Sequence, residues 1–467
     1  MDSPGNPNIF TAEAAVGGPV SDKIGVRVAG RWNKQQPYLK NLYPLGAVGG
    51  SPGPGTGADL GDDDTLAGRF TVLAEPSDGF QLIFSANGSR ARVFFLNIDN
   101  LSRNGLKAPI NGTVPGNPID IASTARLKTK SYSVFGQFEY DLSDQFRVVA
   151  GARLMREKKN YTFIQQLFVS PDSREIQPEQ TVPGFPLTIG LDYPGGVPSA
   201  YTDKYSKTLW AGKLQFEYRP NGDTLIYAGI NRGVKAGSYN AQLNGGLPTP
   251  ASAIRYGDET LWSYEAGFKL TLLDNLLRLN GAVYYYDYQD YQSFLFTGVA
   301  GLVINADART IGGELTIQAT PARGLDIAVG LSKFDAVVKD VPLRIGGPIR
   351  KDLKPTYAPE TQASAIVRYA WDMFGGQMAA NGNLTYSSSY YYNLRNFDAD
   401  KFGSYVNLDP GIDWTSANGK FQIGVSVDNV TDRRIGLQGY DLATLCGCNE
   451  VSYKLPRTFS VNPRVSF

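Results

Sequence analysis

The residues that could do chemistry in this chain are informative first through what they exclude. There is no histidine among the 467 residues, so Ser-His and Cys-His nucleophile pairs and imidazole-ligated metals are ruled out. The two cysteines stand as Cys446-Gly447-Cys448, a spacing that could close only a strained disulfide, read here as a small loop staple rather than a metal site. Asp62-Asp63-Asp64 lacks the spaced ligands and glycine of a calcium loop and reads as a solvated acidic run. Carboxylates are plentiful, but no two stand at a recognisable acid/base spacing. What remains is chemistry of recognition. Arg232 and Lys235, three residues apart, could meet an anionic ligand or could mark where a strand leaves a membrane. Tyr284, Tyr286, Tyr288 and Tyr291, with Tyr390, Tyr391 and Tyr392, could stack on a catecholate or a sugar, or could form an aromatic girdle.

The elements that must position these residues are strands. From Trp262 the apolar residues Trp262, Tyr264, Ala266, Phe268 and Leu270 alternate with Ser263, Glu265, Gly267, Lys269 and Thr271. A period of two puts one set on each face of a strand. After a turn at Asp274-Asn275, Leu277, Leu279, Gly281, Val283 and Tyr285 alternate with Arg278, Asn280, Ala282, Tyr284 and Tyr286, completing an antiparallel hairpin. Strands of roughly ten residues with one apolar and one charged face suit a bilayer, lipid on one side and water on the other.

The same unit recurs along the chain. Counted this way there are about 17 strands, joined alternately by tight turns such as Ser143-Asp144 and Asn418-Gly419 and by long loops. The longest loop is read from about Lys159 to Asp203. Short turns at one end and long loops at the other is the construction of an outer-membrane barrel, and a soluble sandwich gives no reason for it. Trp32, Trp210 and Trp262 then fall near the loop end, and Trp371 and Trp414 near the turn end, as two interfacial belts would require. The fold class is therefore all-β, a transmembrane antiparallel β-barrel.

Composition agrees. Lys and Arg total 45 against 44 Asp and Glu, which leaves no basic surplus for nucleic acid. The chain is rich in glycine, tyrosine and phenylalanine, with 52, 27 and 23 residues, which favours strands and turns. No stretch approaches the roughly 18 consecutive apolar residues of a membrane helix. The first twenty residues show no basic start followed by an apolar core, so the expectation is that the chain begins partway into a longer protein.

Four segments resemble a known family, the TonB-dependent outer-membrane receptors. Asn231-Arg232-Gly233-Val234-Lys235-Ala236-Gly237-Ser238-Tyr239-Asn240 resembles its strand-to-loop motif, and Tyr264-Glu265-Ala266-Gly267-Phe268-Lys269 resembles its Y-E-x-G-x-K strand. Asp428-Asn429-Val430-Thr431-Asp432 resembles its N-L-T-D segment, and the chain closes on Pro456-Arg457-Thr458 and an alternating strand ending at Phe467. The resemblance implies a barrel of roughly 22 strands around an N-terminal plug, in the outer membrane of a Gram-negative bacterium. It implies uptake of a scarce, bulky nutrient such as a ferric siderophore, driven by the TonB complex, with no catalytic chemistry and no cofactor.

Against that pattern no plug precedes the first strand and about five strands are missing, so residues 1–467 are read as one partial receptor barrel. An open sheet of this kind would leave an unpaired edge at each end. The candidate ligand contacts are Arg232, Lys235, Tyr239, Asn240, Tyr286 and Tyr391, and no metal ligands are assigned. Alternatives are a passive porin-like channel, a receptor for oligosaccharide or cobalamin, and a secreted β-rich carbohydrate-binding protein.

Overall fold

The computed structural model describes residues 9–35, 63–77, 80–100, 119–169, 200–240, 251–296, 301–343, 348–443 and 448–466. Among the described residues, seventeen long strands follow one another as an antiparallel meander. They are β1 (Ile9–Ser21), β2 (Ile24–Gln35), β3 (Asp63–Ser77), β4 (Phe80–Asn100), β5 (Ile119–Asp141) and β6 (Phe146–Val169). Next come β7 (Ala200–Asn221), β8 (Thr224–Lys235), β9 (Glu259–Leu272), β10 (Leu277–Phe296), β11 (Gly301–Ala322) and β12 (Leu325–Pro342). The series ends with β13 (Thr361–Met373), β14 (Gly376–Ser387), β15 (Tyr405–Ser416), β16 (Phe421–Asp428) and β17 (Thr458–Val465). Arg350–Leu353 adds a short strand against the loop end of β12, which makes an 18-stranded sheet. Among the described residues the sheet is open, since β1 pairs only with β2 and β17 only with β16.

The two faces are inverted relative to a soluble protein. Leu154, Phe216 and Val283 point outward and are 60%, 55% and 63% exposed, whereas the inward Ser133, Ser263 and Glu217 are 5%, 8% and 9% exposed. Trp262, Phe268, Leu279, Ile327 and Val425 are half-buried or exposed and enter no interior cluster, so a sandwich core is excluded. Only lipid makes such an apolar exterior favourable.

The inner face is instead satisfied by hydrogen bonds. Arg147 clamps Asp141 at 2.5 and 3.1 Å and reaches Glu139 at 3.3 Å, Arg219 meets Glu217 at 2.6 Å, and the Tyr227 hydroxyl donates to Glu265 at 2.8 Å.

Register shows both belts. On adjacent strands Val134, Leu154 and Trp210 form one row, and Tyr140, Val148 and Phe216 form another three outward positions lower. Trp210 meets Trp262 edge-on with ring centroids 6.0 Å apart, and at the turn end Trp371 stacks on Tyr369 at 5.4 Å.

The turn between β9 and β10 is longer than two residues. Leu273, Asp274 and Asn275 all take positive φ, and Leu276 N–H closes it on Leu273 O at 3.0 Å.

The structure corrects the reading of the loops. β6 runs for 24 residues to Val169 and β7 resumes at Ala200, so both ends of the stretch taken as a loop from Lys159 to Asp203, residues 159–169 and 200–203, are strand. β4, β5, β10 and β11 likewise have 20 to 23 residues. Above the aromatic row both faces carry polar residues, so the strands continue after the alternation that reveals them has stopped. The turn at Pro76-Ser77-Asp78 is described only to Ser77. Asp62 of the acidic run and the terminal Phe467 lie outside the described residues.

Candidate functional site

The mouth of the barrel is built at the loop ends of β6 to β12. Here the segment after β8 folds back as a two-residue ribbon, Ser238–Tyr239 against Arg255–Tyr256, and seats on the inner walls of β6, β7 and β11. Tyr239 is buried, its ring stacked on Tyr161 at 4.4 Å and 1°, and its hydroxyl donates to Asp203 at 3.1 Å. Burial and then that bond to a carboxylate raise the Tyr239 hydroxyl above its ordinary pKa.

Asn240 is a clasp. Its amide nitrogen donates to Ala253 O at 2.8 Å and Val303 O at 3.0 Å, and its oxygen accepts from Val303 N–H at 2.8 Å. Tyr161 caps the Asn240 carbonyl at 2.9 Å.

Asp258 anchors the other side of the same fold-back. It accepts from the Gly237 N–H at 2.7 Å, from Lys207 at 2.8 Å and from the Tyr205 hydroxyl. Burial pushes its carboxyl up, but the three hydrogen bonds outweigh it and hold the group below its ordinary value. At Gly237 a Cβ would lie 2.5 Å from Tyr256 O, so no other residue fits there without movement.

The candidate ligand contacts therefore separate. Tyr239 and Asn240 sit together, but both polar groups are engaged in positioning the fold-back. Arg232 is on the outer face, its guanidinium 4.1 Å from the Trp210 ring and 5.8 Å from Trp262, and it donates to Trp210 O and to Thr260 at 3.2 Å. Lys235 is exposed at the tip of β8 opposite Glu259. Tyr286 faces the lumen, stacked on Tyr284 at 4.6 Å. Tyr391 lies in a separate loop ribbon with the Lys401 ammonium 5.6 Å from its ring. The side-chain polar groups of Lys235, Tyr286 and Tyr391 have no hydrogen-bond partner among the described residues, so these three remain open to a ligand.

Other loops form their own interior. Leu295, Val338, Val341, Leu353 and Leu394 pack together at the loop ends of β10 to β12. Beside them Arg395 pairs with buried Asp441, and buried Asp400 accepts from Asn449 at 3.1 Å. Asp400 keeps its second oxygen without a partner; burial, then the Asp441 charge, push its pKa up to about 6. Cys448 is disulfide-bonded, and Cys446, the chain's only other cysteine, lies outside the described residues. Asp203, Asp258 and Asp400 carried no signal in the sequence, because each acquires its role from strands or loops distant along the chain.

Each remaining motif has a physical role. Glu265 receives the Tyr227 hydroxyl, and at Gly267 a Cβ would lie 2.7 Å from that same ring, so the glycine makes room for it. Asn429 and Asp432 both take positive φ, a conformation Asn and Asp tolerate well. Asn429 donates to Leu455 O at 3.3 Å and Asp432 accepts from Arg457 N–H at 3.0 Å. The two C-terminal motifs therefore hold each other across the last loop.

Residues 20–430 match the family model described as TonB dependent receptor-like, beta-barrel. The chain belongs to that family. Such receptor barrels lie in the outer membrane of Gram-negative bacteria, and the inverted faces above are what that membrane requires. The chain is 22% identical over 358 residues to the pesticin receptors of Yersinia enterocolitica and Yersinia pestis, covering 74% of this chain and 45% of theirs. It thus spans less than half the length of those relatives. Among solved structures, the ferric yersiniabactin uptake receptor FyuA from Yersinia pestis superposes with a TM-score of 0.58 at 15% identity, covering 98% of this chain and 78% of that one. The siderophore receptor PiuA from Acinetobacter baumannii superposes at 0.67 and 15% identity, covering 98% and 64%. These relatives are receptors and transporters rather than enzymes.

Proposed function

We propose that this chain is the barrel of an active-transport receptor for a scarce, bulky iron complex, a ferric siderophore, energised through TonB. The observation that carries the reading is the character of the open mouth. Tyr286 and Tyr391 offer aromatic faces and Lys235 a cation, while the neighbouring polar groups are already paired. An anionic iron chelate with aromatic arms would match such a lining through stacking and charge. The relatives named as siderophore receptors support it.

The test is uptake of radio-labelled iron presented on a panel of phenolate, catecholate and hydroxamate siderophores. Cells with and without this receptor are compared, each in TonB-competent and TonB-deficient backgrounds. Uptake of at least one complex that needs both the receptor and TonB is expected. Solute passage that is independent of TonB, with ion conductance in planar bilayers, would instead identify a passive channel.

A further inference from the structure

We propose that the outer surface of β5 to β7, just above the aromatic row, binds the phosphate of a lipid in the outer leaflet. Register assembles the site. Lys128, Asn160 and Lys204 form one outward row across the three strands; Lys130, Lys158 and Ser206 form the next; Tyr132, Arg156 and Thr208 form the third; and Leu154 with Trp210 begins the lipid-facing band directly below. Lys130, Arg156, Lys158 and Lys204 are exposed. Over this height the outward positions of the three strands hold no Asp or Glu.

Arg156 donates only to hydroxyls, Thr208 at 2.9 Å and Ser206 at 2.8 Å, and the three lysines form no ion pair among the described residues. Lys130 and Lys158 are direct cross-strand partners, and like charges so placed repel. The inward bases at the same height are treated differently: Lys207 meets Asp258 at 2.8 Å and Arg255 meets Asp203 at 3.3 Å. In a chain whose net charge is only +1, this uncompensated patch calls for an external anion.

Its position selects the source. The bases stand one to three rows above Trp210 and Leu154, where headgroups meet acyl chains, so a lipid can place its phosphate on the bases and its chains along Leu154 and Trp210. The neighbouring Arg232, held between Trp210 and Trp262, extends the same interface toward β9.

This inference rests on the outer-membrane placement and is independent of what the receptor transports. For the test, the full chain in dodecyl maltoside is titrated with dioleoylphosphatidate, with dioleoylphosphatidylcholine and with inorganic phosphate, and bound lipid is counted by native mass spectrometry. Phosphatidate should be retained in preference to phosphatidylcholine and should not be displaced by an equal concentration of inorganic phosphate. The K130Q/R156Q/K158Q/K204Q variant should lose about fivefold in affinity for each base and at least about 100-fold in all. A control with two inward bases changed, K213Q/K269Q, should bind as the unaltered chain does. If the fourfold variant fails to fold, the unaltered chain decides the matter, because its preference for phosphatidate must collapse between about 0.1 M and 1 M salt. Equal retention of the two lipids, an undiminished preference in the folded variant or at high salt, or displacement by inorganic phosphate would overturn the proposal.

Discussion

Replacing Asn240 with alanine tests whether the strand-to-loop motif binds ligand or holds the loop. The side chain makes three hydrogen bonds, at 2.8, 3.0 and 2.8 Å, to Ala253 O and to both backbone groups of Val303. Asn240 is only 5% exposed and Ala253 and Val303 are half-buried, so the substitution leaves three backbone groups without partners. A buried group left unsatisfied costs about 1–3 kcal/mol, and water entering the small cavity recovers part of that, so about 3 kcal/mol is expected in all. The loss falls on the fold-back rather than on the barrel, whose ladders do not involve the side chain. Hydrogen exchange followed by mass spectrometry should therefore show peptides covering residues 236–258 opening about 100-fold more often, with β5 to β7 unchanged. Exchange in that segment within about threefold of the unaltered chain would refute the clasp.

Asp400 should make the neighbouring loops sensitive to pH. Its folded pKa of about 6 lies above the ordinary 3.8, so ionisation opposes folding, and the loops should tighten as pH falls from above 6 toward 3.8. That interval corresponds to about 3 kcal/mol, and Asp400→Asn should flatten the exchange–pH profile of residues 392–402. Gly324 has φ +80, and a Cβ there would lie 2.2 Å from Ala370 O, so Gly324→Ala should cost at least about 2 kcal/mol in denaturant unfolding. Unchanged stability in that variant would contradict the described turn. Tyr286→Ala and Lys235→Gln should each weaken siderophore binding about tenfold while leaving loop exchange unaltered. Tyr239→Phe should do the reverse, increasing exchange of the fold-back with little direct effect on binding.

How far the chain could be read varied with position. Between the two aromatic rows the alternation of Trp210, Leu214 and Phe216 with Lys213, Gln215 and Glu217 revealed both the strand and its facing, because one side meets lipid and the other water. Above Trp210 the same strand continues through Thr208, Ser206 and Lys204 on a polar outward face while the inward face mixes Leu209 and Tyr205 with Lys207 and Asp203, and the pattern fell silent although the ladder did not. The site residues divided similarly. Lys235, Tyr286 and Tyr391 remain open in the structure. Arg232 turned outward because it shares parity with Trp210, and Tyr239 and Asn240 turned to structural duty because the segment folds inward.

The amino-acid sequence alone determined the class of fold, the two-solvent architecture, the order of turns and loops, and the family, since these follow from local periodicity and from motifs a few residues long. Tertiary structure decided which polar groups are already satisfied. Asp203, Asp258, Asp400 and Asp441 look alike in the sequence. Only packing, which brings strands and loops far apart in the chain into contact, set Asp203 and Asp258 on the two sides of the fold-back, paired Asp441 with Arg395 in a separate loop cluster, and left one oxygen of Asp400 unmatched.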